Sequence, residues 1–483
     1  MFEVTVSVLE GAVLTPDLMF VADVHVAADA LLPARNQMAL SLGTHIILAC
    51  FGMAMPAMIY VLHRKGINGD EAALELAKRW SKIAGVLFAI GAVSGTILSF
   101  EMGLLWPGLM ERYGDVLGTA FALEGLSFFV EAIFLGIYVY GWGRLPQRTH
   151  VLMLLPMVIA GVTGSFFVVS VNAWMNAPTG FTEVDGVVVD VDPLAAIFNS
   201  AVPLQFLHMF LAAYMVTGFG LASIYAFGWL RGRRGKLQKL GILVPLTFAA
   251  IATPIQPIVG HFAGQRIADE QPIKLAAIEG LSDTEESVKT VIGGVYTNGE
   301  LVGEITLPIG GLASFLAQND RDAPIIGLNS VPLDEQPPVN IVRFSFQVMV
   351  AIGTALVGLV AVVAWRWWRR RDTFFESSWM LRAIAVSGVA AVGAMEAGWI
   401  TTEVGRQPWI VQGLMRTEEA VTDGGWVWFS LVGLTIIYLG LGLAGVGVLR
   451  SMSRRWSAGE TDLESPYGPG RFDEPVRFDK IAP

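Results

Sequence analysis

The chain has 483 residues, 54% of them hydrophobic and 15% charged, with a formal net charge of −10 and a mean hydropathy of +0.57. A soluble chain carries about 25% charged residues. Here the apolar residues gather in runs of about twenty or more, long enough to cross a hydrocarbon core of about 30 Å as helices. A soluble enzyme, a disordered chain and a nucleic-acid binder are excluded, and with Cys50 as the single cysteine so are an intrachain disulfide and Cys-built metal centres.

Residues 1–34 form an N-terminal extension with no assigned role. Its first 30 residues hold Glu3, Glu10, Asp17, Asp23 and Asp29 but no Lys or Arg. A secretory signal opens on a basic region, so the segment reads as an amphipathic surface helix or an ordered outer cap. Nine apolar runs follow, at about 38–62, 83–106, 119–142, 150–173, 202–230, 238–262, 341–365, 378–402 and 426–449. Backbone groups in hydrocarbon must pair internally, so these runs predict helices. The expected fold class is an all-α integral membrane protein with nine transmembrane helices. Residues 35–262 carry spans 1–6, 263–340 form a long extracytoplasmic loop, 341–449 carry spans 7–9, and 450–483 form a polar cytoplasmic tail. No internal repeat is visible.

The loops give the orientation. Basic residues follow every odd span: Arg64 and Lys65, Arg144 and Arg148, Arg231 to Lys239, Arg366 to Arg371, and Arg450 to Arg455. The stretch 177–200 has none and carries Glu183, Asp185, Asp190 and Asp192. By the positive-inside rule the N-terminus is outside and the C-terminus cytoplasmic. Loops longer than about 15 residues are functional or disordered, which draws attention to 263–340.

A charge at mid-bilayer costs at least about 2.5–3.5 kcal/mol, so each buried ionisable residue needs a partner, a cofactor or a wet cavity. His45 lies in span 1 between Gly43 and Gly52, His208 in span 5, and Met349 in span 7. Imidazole nitrogen and thioether sulfur are an axial pair for low-spin haem; the competing reading of each is core packing. Glu101 ends span 2. Glu124 and Glu131 stand two turns apart on one face of span 3, as a proton path or as a pair satisfied by neighbouring helices. In span 8, Glu396, Trp399 and Glu403 share a face, with Arg406 and Trp409 beyond. Arg406 suits a carboxylate or a haem propionate; an interfacial belt is the other reading. His25, His63, His150 and His261 read as interface or surface residues. Spacing alone gives a haem- or ion-handling bundle with buried acids.

Seven segments in order, ARNQMALSLGTH, EGLSFFVEAIFLG, NAWMNAP, FLHMF, KLAAIEG, FQVMVAIG and EAGWITTEVGRQPW, give a closer resemblance. Over about residues 35–449 the chain resembles subunit I of the cytochrome bd-type quinol oxidases, of the short Q-loop kind. The resemblance implies His208 and Met349 as ligands of a low-spin haem b. It implies His45 and Glu403 as ligands of two high-spin haems, one b-type and the other haem d or a further haem b, with the pairing left open. Glu124 and Glu131 correspond to acids near that pair and in the proton route, with Glu101 as a further acid. Trp399 corresponds to an aromatic between haems, Arg406 to an arginine beside them, and Lys274 and Glu279 to the quinol-site residues of the loop. Members carry Arg two residues before the haem methionine; here Gln347 stands there, and Arg343, one turn earlier, is the candidate substitute.

The implied activity is oxidation of quinol on the outer side and reduction of O2 to water. Protons arrive from the cytoplasm, so proton motive force arises without a pump. Implied partners are a subunit II of homologous fold, a small single-helix subunit, quinol, O2 and the lipid bilayer of a bacterial or archaeal plasma membrane. Two alternatives stand beside this: a same-fold relative with only b-type haems or another electron donor, and a haem-free proton-coupled transporter. Transporters commonly show paired repeats, which this chain lacks.

Overall fold

The computed structural model describes residues 16–459, with side chains from Ala30 onward. Residues 1–15, the side chain of His25 and the tail beyond 459 lie outside the described residues. Among the described residues, nine helices are long and apolar enough to cross a membrane. They are span 1 (Ala30–Ile67), span 2 (Glu71–Leu105), span 3 (Pro107–Tyr140), span 4 (Gln147–Asn176), span 5 (Val202–Leu230), span 6 (Lys236–Glu270), span 7 (Leu333–Arg369), span 8 (Ser378–Val404) and span 9 (Val427–Ser457).

All nine predicted runs are helical, and several helices overrun them. The helix carrying span 1 begins at Pro16 and passes without a break through residue 34. Span 2 starts at Glu71, where Asp70 caps it by accepting from Ala73 N at 3.1 Å, a standard way to satisfy a first-turn N–H. Span 4 is broken once, at Met153. Pro156 lacks the N–H that would continue the ladder to Leu152 O.

Close backbone approach organises the packing. At Gly218 of span 5 an added Cβ would lie 2.6 Å from Pro245 O and 2.9 Å from Ala249 Cβ of span 6. At Gly388 of span 8 it would lie 2.9 Å from Gly220 Cα of span 5. Lipid tails are as apolar as leucine, so contact between small residues is a main source of helix association in a bilayer. Around this seam Met215, Phe219, Ile242, Leu246, Met380 and Ile384 form one buried core.

The ends after odd spans, rich in Lys and Arg, hold a feature that the sequence reading places wrongly. His63 and His150 are not surface residues; both are fully buried. His63 bonds Tyr138 OH at 2.9 Å and Gln147 Oε1 at 2.7 Å. His150 Nε2 meets Tyr138 O at 2.8 Å, and Trp142 stacks on His63. Aromatic cover from Tyr138 and Trp142, with both ring nitrogens of His63 and Nε2 of His150 hydrogen-bonded, lets both imidazoles leave water, although they sit at span ends. His261 is partly exposed beside Gln265, as expected of an interface residue.

The opposite, acid-rich side carries the long loop. It holds a helix Pro272–Glu279, a hairpin of Val291–Thr297 with Glu300–Thr306, and a helix Leu312–Gln318. The hairpin turn is Asn298-Gly299, both at positive φ, the two-residue turn that suits twisted strands. Span 7 holds the loop down. Arg343, fully buried, donates to Ile278 O at 2.9 Å, Gly293 O at 2.8 Å and Val291 O at 3.3 Å. Gln347 accepts from Gly293 N at 2.9 Å, and Asn340 accepts from Tyr296 N at 2.7 Å.

Gly218→Val would force two backbones apart. Overpacking of this kind destabilises by about 1–3 kcal/mol, so the purified protein should show a lower thermal midpoint in detergent. An unchanged midpoint would mean that the span 5–6 seam is not tight.

Candidate functional site

Span 1 presents Gln37, Ser41 and His45 four residues apart, on one face. Glu101 of span 2 is buried against them. Its Oε1 accepts from Gln37 Nε2 and Ser41 Oγ, both at 2.9 Å. Ser430 of span 9 donates to Gln37 Oε1 at 2.6 Å and so holds that amide in place. Glu101 Oε2 is buried with no partner among the described residues.

His45 Nδ1 lies 2.8 Å from Ser94 Oγ, and Ser94 gives its own proton to Gly91 O at 3.0 Å. The serine therefore accepts from the ring, which carries its proton on Nδ1 and keeps an Nε2 lone pair. A metal-ligating histidine is commonly oriented in this way by a partner on its other nitrogen. Gly95 leaves room beside the ring, since a Cβ there would sit 3.0 Å from His45 Cε1.

The neighbouring acids face span 1 across glycines. Cβ atoms built at Gly43 and Gly52 would lie 3.4 Å from Glu396 Oε2 and from Glu131 Oε1. Glu396 Oε1 is buried and unpaired among the described residues. Glu124 and Trp399 are half-buried.

A second group lies among spans 5–8. His208 Nδ1 is buried with no partner among the described residues. A Cβ at Gly260 of span 6 would lie 3.3 Å from its Cε1. Met349 of span 7 faces Gly398 of span 8, where a Cβ would lie 2.7 Å from its sulfur. Composition does not single out one methionine among 18. Arg343 does not serve this group, because its guanidinium is spent on three loop carbonyls.

The third group sits where spans 4 and 8 end beneath the loop. Arg406 Nη2 pairs with Glu403 Oε2 at 2.6 Å, and Asn172 donates to Glu403 Oε1. Arg406 is buried, and its Nε and Nη1 are unpaired among the described residues. A cavity of about 210 Å³ opens beside it, lined by Gln271, Lys274, Glu335, Arg406, Gln407 and Trp409 among others. Lys274 Nζ donates to Asn176 Oδ1 at 3.3 Å. Glu279, five residues along the same short helix, does not line this cavity; the charge facing it is Arg343. The structure thus brings Lys274, Arg406 and Glu403 together and sets Glu279 apart.

Burial shifts both loop-helix groups. The Lys274 ammonium is pushed down to about 7 by desolvation and by Arg406, against the pull of Glu403. The Glu279 carboxyl is pushed up to about 7 by desolvation, against Arg343. Asn172, Asn176 and Gln271 belong to this group and were not picked out from sequence. The signal was there: two amides four residues apart at the end of an apolar run, in NAWMNAP.

Nine spans with imidazole, thioether and carboxylate groups turned inward define a polytopic membrane protein of the cofactor-bearing class. Residues 33–456 match the family described as Cytochrome bd terminal oxidase subunit I, and the chain belongs to that family. The solved bd oxidase from Geobacillus thermodenitrificans superposes with a TM-score of 0.81 at 36% identity, covering 88% of this chain and 99% of that one. A Bacillus subtilis (strain 168) protein named, provisionally, as a cytochrome bd menaquinol oxidase subunit I is 34% identical, over 87% of this chain and 96% of that one. The cytochrome bd ubiquinol oxidase subunit 1 of the same organism is 29% identical, over 85% and 90%.

The residues fit haem. Glu396 Oε1, His208 Nδ1 and Arg406 Nη1 are buried and unpaired among the described residues, and glycines face the side chains of His45, His208 and Met349.

The two loop shifts make a stability prediction. Between about 4.5 and 7 the folded chain holds a proton on Glu279 that the unfolded chain has lost, so stability falls as pH rises. Between about 7 and 10.5 the unfolded chain holds a proton on Lys274 that the folded chain lacks, so stability rises with pH. Intrinsic-rate-corrected hydrogen-exchange protection of Pro272–Glu279 should therefore be lowest near pH 7. Glu279→Gln should flatten the acid arm and Lys274→Met the alkaline arm. A monotonic profile in the parent would contradict both assignments.

Proposed function

We propose that this chain is the catalytic subunit of a bd-type quinol:O2 oxidoreductase, with the loop side facing outward and the base-rich side in the cytoplasm. His208 and Met349 hold a low-spin haem b. His45 and Glu403 each hold one of two high-spin haems, one b-type and the other d- or b-type. When bound, the haems supply the chemistry, carrying electrons from quinol and reducing O2 to water; the protein supplies position and surroundings.

The chain's own residues divide the remaining work. Ser94 fixes the tautomer of His45 and so keeps a nitrogen lone pair available. Asn172 and Arg406 orient the Glu403 carboxylate from two sides. Lys274 and Arg406 bind and orient quinol in the loop-side cavity, with Trp409 as a flat apolar wall. Glu279, held by burial near neutrality in its titration, accepts a proton on that side of the bilayer. Glu124 and Glu131 receive protons from the cytoplasmic side and Glu101 takes part in the same relay, so charge separates across the membrane without a pump. Trp399, between Glu396 and Glu403 on span 8, would supply an aromatic wall of the haem-binding region. The working unit is a heterodimer with subunit II, with a small single-helix subunit as a further partner.

The observation that carries this reading is the continuity at the loop side. Arg406 both lines the cavity with Lys274 and pairs with Glu403, so a donor pocket and a haem-ligand carboxylate are one ion pair apart. A reduced-minus-oxidised visible spectrum of the purified complex tests the haem content. A b-type band with a far-red chlorin band is the expected result; a b-type band alone leaves the ligands in place and removes haem d. Absence of any haem from a folded complex would refute the assignment. Lys274→Ala should raise the quinol KM about tenfold or more, the worth of a hydrogen bond to a charged group. An unchanged KM would remove Lys274 from the donor site.

A further inference from the structure

Asn176 is the last helical residue of span 4 and is buried. Its side-chain oxygen accepts from Gln271 Nε2 at 3.0 Å and from Lys274 Nζ at 3.3 Å. Its own amide nitrogen donates to Asn172 O at 2.8 Å, which fixes the direction of that oxygen. Its backbone carbonyl also accepts from Gln271 Nε2, at 3.2 Å.

Lys274 reaches this acceptor along a narrow course. A Cβ at Gly405 would lie 2.9 Å from Lys274 Cγ and 3.1 Å from Cδ. The alkyl chain is thus laid against the end of span 8, and the ammonium ends at Asn176. Burying an ammonium without an acceptor is costly, and Asn176 Oδ1 is its hydrogen-bond partner in the structure. One turn earlier on the same face, Asn172 donates to Glu403. The end of span 4 therefore holds a residue of the loop helix and a residue of span 8 with two amides spaced i, i+4.

We propose that Asn176 is a positioning residue of the donor site: its amide oxygen holds the Lys274 ammonium at the cavity wall where quinol binds. The proposal rests on the reading of Lys274 as a quinol-binding residue. Without Asn176 the lysine head loses its fixed acceptor and turns away from the donor, so binding weakens while the chemistry that follows is untouched. That is the pattern of a lost uniform binding interaction, seen in KM and not in kcat.

The test uses the whole complex and a short-chain naphthoquinol as donor. Asn176→Ala should raise KM about tenfold and leave kcat, the visible spectrum and the thermal midpoint close to the parent. Asn176→Asp, which keeps an acceptor for Lys274, should return KM most of the way. Lys274→Ala combined with Asn176→Ala should be no worse than Lys274→Ala alone, because one interaction cannot be lost twice. A parent-like KM in Asn176→Ala overturns the proposal. So does equal impairment of the Ala and Asp variants with a lowered midpoint, which is the signature of a mere helix-end support. If Lys274→Ala itself leaves KM unchanged, the donor-site reading has failed; if it raises KM and Asn176→Ala does not, only the positioning role has failed.

Discussion

A charged or polar group inside hydrocarbon must be satisfied by protein, and this constraint orders the whole bundle. Glu101 is held by Gln37 and Ser41, Glu403 by Arg406 and Asn172, and Arg343 by three backbone carbonyls. Glu101, Arg343 and, through Asn172, Glu403 each take a partner from a different span or from the loop, so satisfying the group also fixes how two elements pack. Among the buried groups that keep an unpaired atom among the described residues are His208 Nδ1 and Glu396 Oε1. They lie in the spans that carry the proposed haem ligands, which is where unused capacity has a purpose.

Small residues meet the same constraint from the side of space. Gly95, Gly260 and Gly398 each face a proposed ligand side chain, and Gly43 and Gly52 each face an acid. A methyl group at Gly95, Gly260 or Gly398 would press on the side chain opposite, while one at Gly43 or Gly52 would just touch it. Glycine in a membrane helix is often explained by helix–helix contact alone, and Gly218 and Gly388 do act that way here. The glycines beside His45, His208 and Met349 instead keep side chains free to point inward.

Much of this was legible in the sequence, because hydropathy over twenty residues and the alternation of basic loops are long-range signals that survive local noise. The spans were found for that reason, and a His, a Met or a Glu within such a run is conspicuous. Three features were hidden. His63 and His150 sit at span ends, where sequence cannot tell a wet imidazole from one covered by Tyr138 and Trp142. The hairpin of 291–306 is short and half exposed, although its Asn298-Gly299 turn is a standard signal. Asn176 and Gln271 are uncharged, so a search for costly charges passed over them; their part is visible only once span 4 and the loop helix are seen side by side.

The loop helix Pro272–Glu279 shows why the proposed donor side depends on the membrane part. At its start Gln271 and Lys274 bond Asn176 of span 4. At its end Ile278 O accepts from Arg343 of span 7. The two ends are thus fastened to two different spans, and the cavity between the helix and span 8 has walls set by how those spans pack. Tying both ends to buried polar side chains in the spans makes the loop as precise as the bundle, as the proposed donor site requires.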